Sequence, residues 1–154
     1  MAGELRRETT VALAPSRAFS LFAEETGSWW PKAYTWSAEL LVDIVIGARE
    51  GEPCYELGPH GFRCDWGRVL DVYPPRWLEF TWQIGPDRLP VPDATRATEV
   101  AVEFLPAGDD TARVCVHHRG FDRHGAAGAA YCEGMGPGWE HLLACFAAAA
   151  ADYG

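Results

Sequence analysis

The spacing of strand-like segments between residues 39 and 120 limits the fold of this chain more than any other feature. Segments rich in β-branched and aromatic residues alternate with turns that contain glycine or proline. These segments are 39–46, 52–57, 63–73, 77–84, 98–105 and 111–120. Their connections are too short for the crossovers that parallel strands need. The sequence therefore predicts an antiparallel meander.

The two ends of the chain differ from this central part. Residues 6–13 alternate loosely and predict an opening strand, and Pro15 suits the first turn of a short helix after it. Near the other end, apolar residues recur at helical spacing, which predicts a final helix. They are Trp139, Leu142, Leu143 and Phe146. One strand, a short helix, a meander and a last helix together predict a single α+β domain over residues 1–154, with the helices on one face of the sheet.

A glycine-rich stretch precedes this last helix. Residues 126–135 are compatible with a further helical piece, but Gly134, Gly136 and Gly138 surround Pro137. An interior proline costs about 3 kcal/mol in a helix. We therefore expect a break or kink at 134–138, with Pro137 in the first turn of the final helix.

Charge and cysteine usage exclude several classes of partner. The net charge is −9, and the 13 Lys and Arg residues are scattered rather than grouped. Neither nucleic acid nor an anionic membrane is therefore expected as a partner. The five cysteines include no C-x-x-C pair, and no apolar segment resembles a signal peptide or a membrane span. These features predict a cytoplasmic protein with reduced thiols.

Several short motifs follow one another in an order that is typical of a known protein family. They are Pro15 with Phe19; Trp29-Trp30-Pro31; Trp66-Gly67 with Val69; Pro74-Pro75 with Leu78 and Trp82; Thr98 with Val100; Thr111; His118 with Gly120; and Gly138-Trp139 with Leu142. In this order they resemble bacterial proteins related to the C-terminal domain of the activator of the Hsp90 ATPase, within the START-like and Bet v 1-like superfamily. The resemblance covers nearly the whole chain.

This resemblance implies a helix-grip fold. In that fold a curved antiparallel sheet of about seven strands wraps around a long C-terminal helix, short helices follow the first strand, and a cavity lies between sheet and helix. Members of the superfamily bind lipids, hormones or polyketides, and some are cyclases or bind chaperones. Fold alone does not choose among these functions.

Seven tryptophans in 154 residues favour an apolar cavity that takes a small hydrophobic or aromatic molecule. The residues expected to line it are Trp29, Trp30, Trp82, Val116, His118, Tyr131, Met135 and Trp139. His118 shares a strand face with Val114 and Val116, so it is either a hydrogen-bonded core histidine or a ligand-binding group. For each aromatic residue taken alone, ordinary core packing is the competing interpretation.

No catalytic residues, metal ligands or cofactor are predicted. The sequence contains no G-x-S-x-G motif, no metal-ligand spacing and no phosphate-binding glycine loop. Two alternatives to ligand binding remain. One is an enzyme of the cyclase or hydrolase type that uses the same cavity, and the other is a protein that interacts with a chaperone. A homodimer is also open.

Overall fold

The computed structural model describes residues 3–153 and has seven strands in one antiparallel sheet. The strands are β1 (Glu4–Val11), β2 (Asp43–Val45), β3 (Pro53–Leu57), β4 (Arg63–Tyr73), β5 (Trp77–Trp82), β6 (Thr98–Gly108) and β7 (Thr111–Arg119). Their order across the sheet is β1-β7-β6-β5-β4-β3-β2. Strands 2 to 7 thus form the expected meander, and β1 joins its far edge beside β7.

The α-helices lie between β1 and β2 and after β7. They are α1 (Pro15–Phe19), which continues as a π-helical turn (Ser20–Glu24), α2 (Thr26–Trp29) and α3 (Gly128–Tyr153). The long helix α3 covers one face of the sheet and contacts β1 most extensively. The predicted helix-grip architecture is confirmed. Within residues 3–153, none of the helices combines the length and apolar composition needed to cross a membrane.

The predicted break before the last helix is wrong, because α3 runs without interruption from Gly128 through Pro137 to Tyr153. Pro137 removes one backbone N–H, which would have bonded the carbonyl of Glu133. Both residues lie on the exposed side of the helix, so water can solvate the freed carbonyl. The cost of the proline is therefore smaller than in a buried helix, and packing of the apolar face keeps the helix continuous.

Gly136 lies on the buried side of the same stretch and has a steric role. A Cβ atom at this position would lie 2.6 Å from Nη2 of Arg7 on β1. The Arg7 side chain continues across the helix, and its Nε donates to Glu140 at 3.1 Å. The glycine therefore lets an arginine from the edge strand cross α3.

The first meander strand is shorter than predicted. Only Asp43–Val45 pairs with β3, through three residue pairs, and residues 38–40 form a 3-10 turn instead. Leu40 and Val42 are 66% and 65% exposed. The β-branched composition of residues 39–46 therefore predicts a longer strand than the one that pairs with β3.

Candidate functional site

The predicted site residues fall into one aromatic cluster between the sheet and α3. Trp82 on β5, His118 on β7 and Trp139 on α3 are 6%, 0% and 0% exposed. The ring centroid of Trp82 lies 5.4 Å from that of His118 and 5.7 Å from that of Trp139. These three elements therefore meet through direct ring contacts.

The cluster continues toward the first helices and toward the start of α3. Trp30 lies 6.0 Å from Trp82 and 5.5 Å from Trp29, measured between ring centroids. Tyr131 is half-buried, and its hydroxyl accepts from Trp82 Nε1 at 3.0 Å and donates to the Ile84 carbonyl at 2.6 Å. Burial raises the pKa of Tyr131 to about 12. This phenol is therefore a neutral hydrogen-bonding group.

His118 has a protein partner at each ring nitrogen. Trp139 Nε1 is only a donor, and it donates to His118 Nδ1 at 3.0 Å. The ring proton is therefore on Nε2, which donates to the Thr98 hydroxyl at 2.7 Å. Burial, with the charges of His117 and His124, lowers the pKa of His118 to about 3. This geometry matches the core-histidine interpretation, in which the neutral ring links β6, β7 and α3.

The two remaining predicted residues differ in exposure. Val116 is 1% exposed and lies on the same face of β7 as His118. Met135 is half-buried and packs at the edge of the core. Contact between a ligand and any of the eight predicted residues stays a prediction.

A pocket of about 660 Å³ lies at another place on the same side of the sheet. The first helical segment forms one wall with Ser16, Phe19, Ser20, Ala23 and Glu24. A second wall consists of residues 43–48, on and after β2, and the third is the β4–β5 turn with Val72, Pro74, Pro75 and Leu78. None of the eight predicted residues lines this pocket.

The sequence does not predict the pocket beside Phe19 and Leu78, and the reason is physical. Phe19 and Leu78 were recognised as motif residues, but the pocket forms only where the π-helical turn faces a short edge strand. Nothing in the local sequence predicts that these distant segments meet. A usable signal is the helical spacing of the apolar residues Ala18, Phe19 and Phe22. Of these, the buried Phe19 reaches both the pocket and the core.

A second, more open pocket of about 650 Å³ is lined by exposed apolar side chains. Its lining includes the exposed side chains of Trp36, Leu40, Phe62 and Leu89. The segment that carries Trp36 is held by Glu56, a carboxylate on β3 that is 2% exposed. Its two oxygens accept from the backbone N–H groups of Trp36 at 3.1 Å and Ser37 at 2.8 Å.

Glu56→Gln is expected to lower the free energy of unfolding by about 1–3 kcal/mol, because the amide NH₂ replaces an acceptor and faces a buried N–H. Amide hydrogen exchange should lose protection at Trp36 and Ser37, and urea denaturation measures the stability. Glu52→Gln is the matched control, since the exposed Glu52 carboxylate accepts from the N–H of Ala48 at 2.8 Å. Equal losses in both variants would contradict the role of burial at Glu56.

Thiol and metal chemistry receive little support from the described residues. Burial raises the pKa of the Cys54 thiol to about 12, and it also raises the pKa values of Cys64, Cys115 and Cys132. Reactive cysteines usually have lowered pKa values. Among residues 3–153, no three His, Cys, Asp or Glu side chains are grouped as metal ligands.

Comparison with protein families gives one match. The model of the "Activator of Hsp90 ATPase homolog 1-like protein" family matches residues 14–151. No curated protein matches the chain.

Solved structures provide further relatives. The anthrahydroquino-γ-pyrone synthase Txn09, complexed with SUM, is 29% identical, with a TM-score of 0.66 over 94% of this chain and 95% of that one. The self-sacrificing resistance protein CalC from Micromonospora echinospora is 26% identical, with a TM-score of 0.67 over 99% and 97% of the two chains. Protein NE0264 from Nitrosomonas europaea is 16% identical, with a TM-score of 0.69 over 99% and 97%, and this likeness concerns the fold alone.

Proposed function

The chain belongs to the family of activator of Hsp90 ATPase homolog 1-like proteins, and we propose that it binds a small, apolar, ring-containing molecule on the helix side of its sheet. Family membership and fold agree with a START-like ligand-binding or cyclase-like protein. The observation that carries the proposal is the pocket beside Phe19 and Leu78. Its volume of about 660 Å³ falls in the usual range for ligand pockets, roughly 300–1,000 Å³.

The walls of this pocket favour an apolar ligand. Phe19, Ile44 and Leu78 are 6%, 4% and 1% exposed, so they form a rigid floor that belongs to the core. Val72 and Pro75 lie nearer the rim. A flat ring placed on this floor would remove its own apolar surface from water, together with the exposed surface of Val72 and Pro75. This removal is the main favourable contribution to such binding.

Txn09 is an anthrahydroquino-γ-pyrone synthase, and the likeness of this chain to it supports an aromatic ligand of the polyketide class.

The pocket is also connected to the aromatic core. Phe19 packs edge-on against Phe104 with ring centroids 5.2 Å apart, and Phe104 packs against Phe22 at 5.7 Å. Phe22 in turn contacts Trp29 at 4.8 Å, so a continuous chain of aromatic contacts links the pocket to the tryptophan cluster.

A neutral aromatic probe, naphthylmethanol, is expected to raise the Tm. At about 100 times its Kd the stabilisation is roughly 2.7 kcal/mol, or about 5–11 °C for a domain of this size. Val72→Phe should fill the pocket from β4 and reduce the shift by more than half. Leu70→Phe is the matched control, because Leu70 lies on the same strand, is 36% exposed and does not line the pocket.

The location of the site is tested by a second pair of variants. If Met135→Ala weakens binding of naphthylmethanol while Val72→Phe does not, the ligand lies between the sheet and α3, as the sequence predicts, and the pocket beside Phe19 is the wrong site. If Leu70→Phe reduces the shift as much as Val72→Phe does, the reduction is not specific to the pocket beside Phe19. If aromatic probes do not change the Tm, the binding proposal itself fails.

The other two functions stay predictions. A cyclase-type enzyme would use the same pocket and would convert a polyketide-like substrate, which chromatography of the product would detect. A chaperone partner rests on the family name, and a chaperone ATPase assay tests it directly.

A further inference from the structure

We infer that the pocket beside Phe19 and Leu78 selects ligands that carry a positive charge on their apolar ring body. This inference rests on the proposed function and specifies the chemical class of the ligand. It comes from the side chains that line the pocket, which divide into an apolar floor and a polar, acidic rim.

The polar rim is contributed by two elements that face each other. Ser16, Ser20 and Glu24 follow one another at intervals of four residues along the first helical segment, so they lie along one side of it. Asp43 stands on the opposite wall at the start of β2. The rim therefore presents two carboxylates and two hydroxyl groups around one opening.

No basic side chain lines the pocket, although Arg49 and Arg76 adjoin lining residues in the sequence. In the described part of the chain, neither Glu24 nor Asp43 forms an ion pair. The contact at Asp43 is local, because its Oδ1 accepts from the N–H of Ile44 at 2.8 Å. Both carboxylates are exposed, so their negative charge remains available to a ligand.

The nearest basic residue on the first helix points to a different partner. Arg17 Nη2 donates to the Tyr153 carbonyl at 2.9 Å, and the Arg17 guanidinium lies 4.9 Å from the centre of the Tyr153 ring. Arg17 is therefore held at the C-terminal end of α3, and in the described part of the chain no ion pair joins it to Glu24. A ligand with an ammonium group would complement this rim while its rings cover the floor.

A matched pair of probes tests the inference: naphthylmethylamine, which is cationic at neutral pH, and naphthylmethanol, which is neutral. Wild type should bind the amine about twofold to fivefold more tightly, because an exposed ion pair is worth up to about fivefold in affinity. At about 1 M NaCl, where the screening length is about 3 Å, this preference should largely disappear. Isothermal titration calorimetry measures both affinities.

The double variant Glu24→Gln with Asp43→Asn should bind both probes with equal affinity. The control, Glu39→Gln with Asp110→Asn, removes two charges away from the pocket and should keep the preference for the amine. Asn at position 43 can still accept from Ile44, so the fold of β2 is preserved.

Four outcomes would overturn the inference. Equal binding of amine and alcohol by wild type overturns the inference and leaves the proposed function intact. A preference for the amine that survives in the double variant also overturns the inference, since the rim carboxylates would not be responsible. A preference that is lost equally in the control overturns it as well, since net charge would then be responsible. If Val72→Phe has no effect on binding of naphthylmethanol, the probe does not bind beside Phe19, and the inference fails with the location of the site. The proposed function itself fails only if no aromatic probe binds.

Discussion

Replacing His118 by leucine is expected to lower the free energy of unfolding by about 3 kcal/mol. The same replacement at any exposed histidine of this chain should cost less. The substitution leaves the buried N–H of Trp139 without its acceptor at 3.0 Å and the Thr98 hydroxyl without its donor at 2.7 Å. Each unsatisfied buried polar group costs about 1–3 kcal/mol. Urea denaturation of wild type and variant measures the difference.

The neighbouring residue provides the control. His117 lies on the other face of β7, half-buried and 3.3 Å from Glu4. His117→Leu is expected to change the free energy of unfolding by less than about 1 kcal/mol, because a single, partly solvated pair contributes little. A cost at His117 equal to that at His118 would contradict the importance of the buried hydrogen bonds.

The same histidine should make stability depend on pH in a defined direction. Above about pH 6.5 the imidazole is neutral in both the folded and the unfolded chain. Below that pH the unfolded chain binds a proton that folded His118, with its pKa lowered to about 3, does not bind. The free energy of unfolding therefore falls as the pH falls, by up to about 1.4 kcal/mol per pH unit, until the folded pKa is reached.

A variant without this titration isolates the contribution. Between about pH 6.5 and about pH 5, wild type should lose about 1.5 kcal/mol more stability than His118→Gln. All other titrating groups are shared, so they cancel in the comparison. Parallel pH profiles would mean that His118 is accessible to protons in the folded protein, and the core-histidine interpretation would be wrong.

The second large effect is expected at Gly128, the first residue of α3. A Cβ atom at this position would lie 2.1 Å from the carbonyl oxygen of Phe121, which is backbone and cannot rotate away. Gly128→Ala must therefore displace the segment that carries Phe121, whose ring centroid lies 4.4 Å from that of His118. We expect a loss of about 3 kcal/mol in the free energy of unfolding.

Two other glycines of the same helix should respond in the opposite way. At Gly134 and Gly138 an added Cβ meets no atom within 4 Å. Alanine is favoured over glycine in a helix interior by up to about 1 kcal/mol, so Gly134→Ala and Gly138→Ala should each stabilise the protein by about 0.5–1 kcal/mol. Thermal and urea unfolding measure all three variants. Destabilisation at Gly134 and Gly138 would mean that residues 134–138 are not helical.

Local patterns in the sequence were sufficient to predict most of the elements. Turn residues delimit β4 correctly as Arg63–Tyr73. Gly58-Pro59 ends the strand before it, and Pro74-Pro75 ends β4 itself. Alternation on β7 places Val114, Val116 and His118 on one buried face, which a period of two residues determines. Burial of the apolar stripe on α3 follows in the same way from its period of 3.6 residues.

The incorrect predictions concern segments in which a tertiary contact overrides the local preference of the sequence. Glycine and proline at 134–138 disfavour a helix in isolation, yet α3 continues because Pro137 faces solvent while Trp139 and Phe146 pack in the core. The strand predicted for residues 39–46 shortens to three residues, since pairing with β3 and not composition decides its length. The period of a pattern can be read from neighbouring residues, whereas these outcomes depend on the partner across the contact.

The sequence by itself determined the fold class, the meander and the apolar faces, because periodicity and turn chemistry are local properties. Only the tertiary structure decided the partners of His118, since Thr98 and Trp139 come from distant elements. It also decided where the pocket lies, at the junction of the first helical segment, β2 and the β4–β5 turn. A cavity is the space that several packed elements leave between them, so no single segment of the chain encodes its position.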